Sequence, residues 1–311
     1  MRILITGGAG FIGSHLADRL TVDGAVVRVL DNLSSGRPEN LPKTAELLVG
    51  DVADAEAVQR ASHRVEAIFH LAAITSTARA LAERTRTRQV NATGTAHVLD
   101  AAAGAPGRET IPVVYASSAA VYGDNTALPL TETAVPRPLS PYAIDKLASE
   151  SFAQAAGRLR ALPTVGLRFF NVYGARQNPH SPDSGVISIF AERAARGDTV
   201  EIHGDGEQTR DFVHVGDVVD ALLCAWRFAR SGAPRGEILN VCTGQAVSIA
   251  QLARKIIALT GRDSQLCYAS LRAADVRQSV GNPRRAWDVL GFRAATTLAD
   301  GLTNIVRRQR G

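Results

Sequence analysis

Lysine is nearly missing from this chain: Lys43, Lys146 and Lys255 are the only three among 311 residues. The 32 arginines therefore carry the formal net charge of +5. Guanidinium groups suit bidentate contact with phosphate or carboxylate. Charge alone thus points to an anionic partner without choosing among nucleic acid, an anionic surface and a phosphorylated metabolite. A nucleic-acid binder would show a clustered lysine-rich arm or interleaved aromatics, and aromatic residues make up only 5% of the chain. The three cysteines, Cys224, Cys242 and Cys267, lie far apart without a CxxC pair, so neither a disulfide framework nor a metal site is expected. The N-terminal apolar run Ile3-Leu4-Ile5 is too short for a secretory signal. No run reaches the roughly 18 to 20 apolar residues that a membrane span needs. These absences lead us to expect a soluble, cytoplasmic, globular protein of one large or two moderate domains.

The first half alternates short apolar runs with longer amphipathic ones. Strands are expected at 2–6, 25–30, 46–50, 67–71, 111–116 and 165–170, and helices at 13–23, 91–103 and 141–160, the last capped by Ser140-Pro141. Such β-α-β alternation implies an α/β fold with a doubly wound, Rossmann-type parallel sheet. After residue 171 the pattern changes to a polar loop at 177–185, a helix at 186–196, a strand at 199–203 and a helix at 248–260, with an arginine-rich loop at 270–285. We therefore expect a cofactor domain of 1–170 plus about 207–242, and a smaller α/β substrate-binding lobe of about 171–206 plus 243–311.

Directly after the first strand, Gly8, Gly10 and Gly13 satisfy G-x-G-x-x-G, and Gly7, Gly10 and Gly13 give its G-x-x-G-x-x-G variant. Between a strand and a helix, these glycines permit a tight turn and let backbone amides approach a pyrophosphate. Asp31 ends the second strand, where a carboxylate can accept from adenine-ribose hydroxyls and repel a 2′-phosphate, which favours NAD. Arg37 is the one nearby group that would suit that phosphate.

Tyr142 and Lys146 form Y-x-x-x-K at the start of a helix, four residues apart and on one face. An ammonium beside a phenol lowers the phenol's pKa and makes it a general base. Ser118, at the end of a strand, could share the substrate's proton; taken alone, it is also an ordinary turn residue. The alternative for the pair is a surface tyrosine and a solvated lysine on an amphipathic helix.

Together these segments resemble the extended short-chain dehydrogenase/reductases of the NAD-dependent epimerase/dehydratase family, most closely its UDP-glucose 4-epimerases. The resemblance spans nearly the whole chain. It rests on Gly7 to Gly13, Leu30 to Gly36, Asp51-Val52, His70 to Ala73, Asn91 to Thr95, Ser118, Tyr142/Lys146, Phe169 to Gly174 and Gln208 to Phe212. It implies tightly bound NAD held by Gly7, Gly10, Phe11, Ile12, Gly13, Asp31, Asn32, Ser35, Gly36, Asp51, Val52, Leu71, Ala72, Ala73, Thr75, Asn91, Tyr142, Lys146 and Phe170. It implies a UDP-sugar held by Ser118, Tyr142, Asn171, Arg210, Arg272, Asp275 and Ser279. Asn171 could instead cap a turn, and Arg210 could pair with Asp211. Arg84, Arg86, Arg88, Arg307, Arg308 and Arg310 are expected to be solvated surface.

The implied reaction is C4 epimerisation through a transient 4-keto sugar, with Tyr142 taking the 4-hydroxyl proton. Related 4,6-dehydratases and UDP-glucuronate decarboxylases carry acidic residues just after the catalytic hydroxyl residue. This chain has Ala119 and Ala120 there, which ranks both activities below epimerisation. Ser279, at a position that gates the sugar pocket, permits a larger C2 substituent, and Arg79 or the Gln177-Asn178 segment could meet a C6 carboxylate. UDP-glucose/galactose, UDP-N-acetylhexosamine and UDP-glucuronate/galacturonate therefore stay open. A non-catalytic NAD-binding regulator is the alternative from another class, but it would not need Ser118, Tyr142 and Lys146 together. The resemblance also implies a homodimer through the helices containing 91–103 and 141–157.

Overall fold

Alternation in the first strand, Arg2–Thr6, sets the layering. Ile3 and Ile5 enter one apolar cluster with Leu16, Leu20, Leu222 and Trp226, whereas Leu4 points the other way and joins Val58, Val98, Leu99 and Ala153. A strand apolar on both faces must be covered on both. The computed structural model, which describes residues 1–104, 109–181, 184–232, 236–270 and 276–310 (77–78 and 308–310 by backbone only), shows that sandwich.

Seven strands make one parallel sheet in the order Glu237–Val241, Thr164–Phe169, Val113–Ser118, Ala67–His70, Arg2–Thr6, Val26–Asp31 and Glu46–Val49. The register pairs Ile3 with Val27 on one side and with Ala67 on the other. From Arg2–Thr6 the chain winds outward to Glu46–Val49, then returns to the opposite side at Ala67–His70. The reversal opens a crevice at the carboxyl ends of these strands, where ligands of such sheets bind.

The expected helices at 141–160 and 186–196 have those bounds. The strand at 2–6 is likewise as expected, and most other elements shift by one or two residues. The first helix is Phe11–Val22 rather than 13–23, because the glycine turn is already coiling at Phe11. The expected helix at 91–103 is a wide π-helical turn, Gln89–Thr93, continued by Gly94–Ala103. Val215–Arg230 and Glu237–Val241 supply a covering helix and the last strand of the sheet.

A third apolar cluster lies among Val186–Arg196, Ile249–Thr260 and Leu298–Arg310, with Phe190, Leu252 and Leu302 buried in it. Short strand pairs surround it: Asn171–Tyr173 with Phe212–His214, and Val200–His203 with Leu266–Ala269. Among the described residues no helix is long and apolar enough to cross a membrane, and no group of acidic, histidine and cysteine side chains could hold a metal.

A buried ion pair stitches helix to sheet. Arg168 donates from Nε and Nη2 to the two oxygens of Glu150 at 2.8 and 2.7 Å, and both residues are at most 4% exposed. Ser117 Oγ donates to Glu150 Oε1 at 2.5 Å, and Arg168 Nη1 donates to Tyr122 Oη at 2.9 Å. Removing one partner leaves the other charge buried and uncompensated. Glu150→Ala is therefore expected to lower stability by about 3–5 kcal/mol in urea unfolding, and Glu150→Leu with Arg168→Met to recover most of that loss.

Candidate active site

The glycine turn approaches the neighbouring loop too closely for any side chain. Gly7 has φ +71°, and a Cβ there would lie 2.6 Å from the backbone nitrogen of Ala72. A Cβ on Gly13 would meet the Gly7 carbonyl oxygen at 2.3 Å. Phe11–Val22 can therefore start against the crevice with its first amides turned toward it, a cradle suited to a pyrophosphate. Asp31, 8% exposed, accepts from Ala9 N at 3.0 Å and from Leu33 N at 2.9 Å. Burial raises its pKa, and these two bonds oppose the rise. Glycine cradle and anchored carboxylate fit a dinucleotide.

One cleft of about 1120 Å³ runs along the crevice. It is lined by Gly7, Gly10 to Gly13, Asp31, Asn32, Ser35, Gly36, Asp51, Val52, Leu71 to Ala73, Thr75, Phe170 and Asn171, and also by Ser118, Tyr142 and Lys146. Dinucleotide cradle and reactive side chains thus share one space. Pro141–Arg160 brings in Tyr142 and Lys146, its start fixed by Ser140 Oγ, which accepts from Ala143 N at 3.2 Å. Lys146, 4% exposed, donates to the Ala116 carbonyl at 2.7 Å, and its Nζ lies 5.9 Å from the Tyr142 ring centroid. Burial pushes its pKa down to about 8, with Asp145 and Glu150 pulling upward. Ser118 Oγ accepts from Ala120 N at 3.1 Å, so it caps the Ala119–Tyr122 turn while facing the cleft.

Behind these groups lies His70, 3% exposed. Its Nδ1 is 2.7 Å from Thr6 Oγ1 and its Nε2 is 3.0 Å from Thr95 Oγ1, which in turn is 3.1 Å from Ser149 Oγ. Burial, then the charge of Lys146, pushes the His70 pKa down to about 3, so the ring is neutral. It joins the end of the first strand to the Pro141–Arg160 helix.

Some expected site residues are not among those lining this cleft. Asn91, 1% exposed, does not line the cleft; its amide accepts from Ile74 N at 2.8 Å and donates to Ile74 O at 2.9 Å, fixing the Leu71 to Thr75 loop from behind. Arg210 and Ser279 are paired neighbours in a three-stranded sheet beside the cleft rather than in its wall. Arg272 and Asp275 lie outside the described residues. Asp211 accepts from Thr243 N, Thr243 Oγ1 and Gly244 N at 2.6–2.8 Å and from Gly281 N at 3.3 Å, and Arg210 Nη1 donates to Thr209 O at 2.7 Å. Arg86 and Arg88 were expected as solvated surface; the Arg88 side chain is 70% exposed, with Nε 3.7 Å from the buried Asp145, whereas that of Arg86 is 38% exposed and pairs through Nη2 with Asp51.

Arg37 and Asn40 line the cofactor end, and Arg176, Gln177, Asn178 and His180 the other. Of these, Asn40, Arg176 and His180 went unmarked in the sequence, Arg176 beside and His180 within the loop expected at 177–185. The available signal was a long polar loop following a strand, which is where such sheets carry function.

With three lysines in the chain, the Lys146 titration is directly observable. Its folded pKa lies below the ordinary lysine value, so the cost of burying the charge is fully present below pH 8 and is relieved as pH rises beyond it. In cofactor-free protein labelled at lysine Cε, one NMR resonance should titrate at about 8 and be missing from Lys146→Met.

The family model described as NAD dependent epimerase/dehydratase family matches residues 3–242. A UDP-glucose 4-epimerase of Mycolicibacterium smegmatis is 39% identical, over 98% of this chain and 97% of the relative. UDP-glucuronic acid decarboxylase 1 of Xenopus tropicalis is 31% identical, over 98% of this chain and 71% of the relative. Among solved structures, the UDP-glucose 4-epimerase of Thermotoga maritima with UDP-glucose superposes with a TM-score of 0.93 at 38% identity, covering 99% of this chain and 98% of that one. The chain belongs to the NAD dependent epimerase/dehydratase family, whose cofactor is NAD.

Proposed function

We propose that this protein is an isomerase that inverts C4 of a UDP-hexose, with UDP-glucose and UDP-galactose as the pair. The observation that carries this reading is the single cleft in which Ser118, Tyr142 and Lys146 stand beside the glycine cradle. Bound NAD would supply reversible hydride acceptance, so that the sugar can pass through a transient 4-keto form. Tyr142 takes the 4-hydroxyl proton on its phenolic oxygen and later returns it. Lys146 favours the phenolate by placing a positive charge near the ring. Ser118, fixed as a cap, presents its hydroxyl to the same substrate oxygen.

Asp31, Asn32, Ser35, Gly36, Asp51 and Val52 would hold the adenosine half of the cofactor, and Leu71 to Ala73, Thr75 and Phe170 the nicotinamide half. Asn171 and Arg210, with Arg272 and Asp275, would hold the UDP diphosphate, and Ser279 would leave room beside it. Binding energy at a diphosphate remote from the reacting carbon can be held constant while the sugar turns over. Dehydration and decarboxylation would each need an acid or base beyond Ser118, and the turn that Ser118 caps offers Ala119 and Ala120.

Two further assignments belong to this reading. Residues 1–170 with about 207–242 would form the cofactor domain, and about 171–206 with 243–311 the sugar-nucleotide lobe, except that Ala286 and Phe292 pack into the core of the seven-stranded sheet with Leu222 and Leu239 and so belong with the cofactor domain. A homodimer is supported by Ile144, Phe152 and Leu159, which are 48%, 44% and 84% exposed on Pro141–Arg160 at helical spacing.

The test is a panel of UDP-sugars with product stereochemistry read by NMR. UDP-glucose and UDP-galactose should interconvert with inversion at C4 only. Tyr142→Phe should lower kcat by about 10²- to 10⁴-fold, the range for loss of a positioned general base. An unchanged kcat would remove Tyr142 from the mechanism, and pentose products with loss of carbon dioxide would identify a decarboxylase.

A further inference from the structure

Arg86 pairs with Asp51, a residue that lines the cleft. Asp51 follows the strand Glu46–Val49 at one edge of the sheet, whereas Arg86 belongs to Arg84–Arg88, which follows the strand Ala67–His70 on the far side of the crevice. Their ion pair therefore joins the two banks. Asn32 Nδ2 donates to the same Asp51 oxygen at 2.6 Å, and Ala53 N donates to the other at 2.8 Å, so the carboxylate is held in place to receive the guanidinium. The Asp51 side chain is 21% exposed and that of Arg86 38%, which leaves the pair open to solvent ions. Two residues on, Arg88 Nε lies 3.7 Å from Asp145 on the helix that carries Lys146. Asn32, Asp51, Val52 and Val90 line the cleft beneath.

We propose that Arg86 and Asp51 form an electrostatic latch across the cofactor cleft, which must open for the dinucleotide to enter or leave. Arg86 is thereby a cofactor-retaining residue rather than a catalytic one. Its contribution falls on exchange of NAD, and because the pair is partly exposed, salt weakens it. The inference rests on the cofactor site and is independent of which sugar is turned over.

The experiment is exchange of bound NAD against radiolabelled NAD on the purified holoenzyme, at low and high ionic strength. Arg86→Gln should exchange about three- to fivefold faster than wild type at low salt, the effect of losing one partly exposed ion pair. Raising the salt should speed wild-type exchange toward that of the variant and leave the variant nearly unchanged, while Arg86→Lys should fall between the two. Thermal unfolding of the cofactor-stripped variants at the wild-type temperature would separate this from misfolding. Equal exchange by wild type and Arg86→Gln at low salt would overturn the latch alone. Wild type that takes up no NAD would overturn the latch and the cofactor site together.

Discussion

One buried ammonium organises the site. Lys146 Nζ has lost nearly all contact with water, and a charge so placed must be answered by the protein. The Ala116 carbonyl gives it a hydrogen bond at 2.7 Å, which requires Pro141–Arg160 to press against the strand Val113–Ser118. Once that contact is made, Tyr142 stands one turn earlier on the same helix and Ser118 two residues further along the same strand. The two groups that would handle the substrate proton are thus set in space by the contact that lets a lysine be buried. His70 completes the constraint, since a second cation beside Lys146 would be costly and the ring is held neutral between two threonines.

The carboxylates that offset the cost of burying the Lys146 ammonium are themselves committed. Glu150, one turn further along the helix, is clasped by Arg168, and Asp145 by Arg88. Glu150 also accepts from Ser117, the residue before Ser118. Electrostatic support for the ammonium and the alignment of the reactive strand are therefore the same set of bonds. Substitutions at Glu150 or Arg168, far from any substrate, would disturb both at once, which is how a site gains precision from groups that never touch the ligand.

Local chemistry explains what could be read in the sequence. The glycine turn was legible because a close backbone approach excludes every other residue, and the clash that a Cβ on Gly13 would meet is the reason for the motif. The helix at 141–160 was legible because Ser140 caps it through a short-range bond and Pro141 suits its first turn. That the Asn91 side chain holds the Leu71 to Thr75 loop from behind was not legible, because its motif does not say whether the side chain faces the cleft or supports the loop. The partners of Arg86 and Arg88 were not legible for a related reason: Asp51 and Asp145 are distant in sequence, and an exposed helix rich in arginine looks alike whether its charges meet water or a carboxylate. The boundary of the helix at 91–103 shifted because no simple 3.6-residue period announces the π-helical turn at 89–93.

The imbalance between arginine and lysine has a structural reading once these contacts are known. Arg168 makes two parallel bonds to Glu150 and a third to a phenol; Arg28 bonds Glu46 at 2.9 Å while donating to the carbonyls of Ala61 and His63. A lysine offers three donors on a point charge and cannot serve such planar, divided demands. Arginine is thus the cation this fold uses to hold buried or half-buried carboxylates and chain ends. Where the charge must instead be compact and able to yield a proton near neutral pH, only an ammonium will do, since a guanidinium does not deprotonate in a protein. A chain that answers its structural needs with arginine has little use for lysine, and one of its three lies where burial brings the pKa down to about 8 beside the phenol that would act as the base.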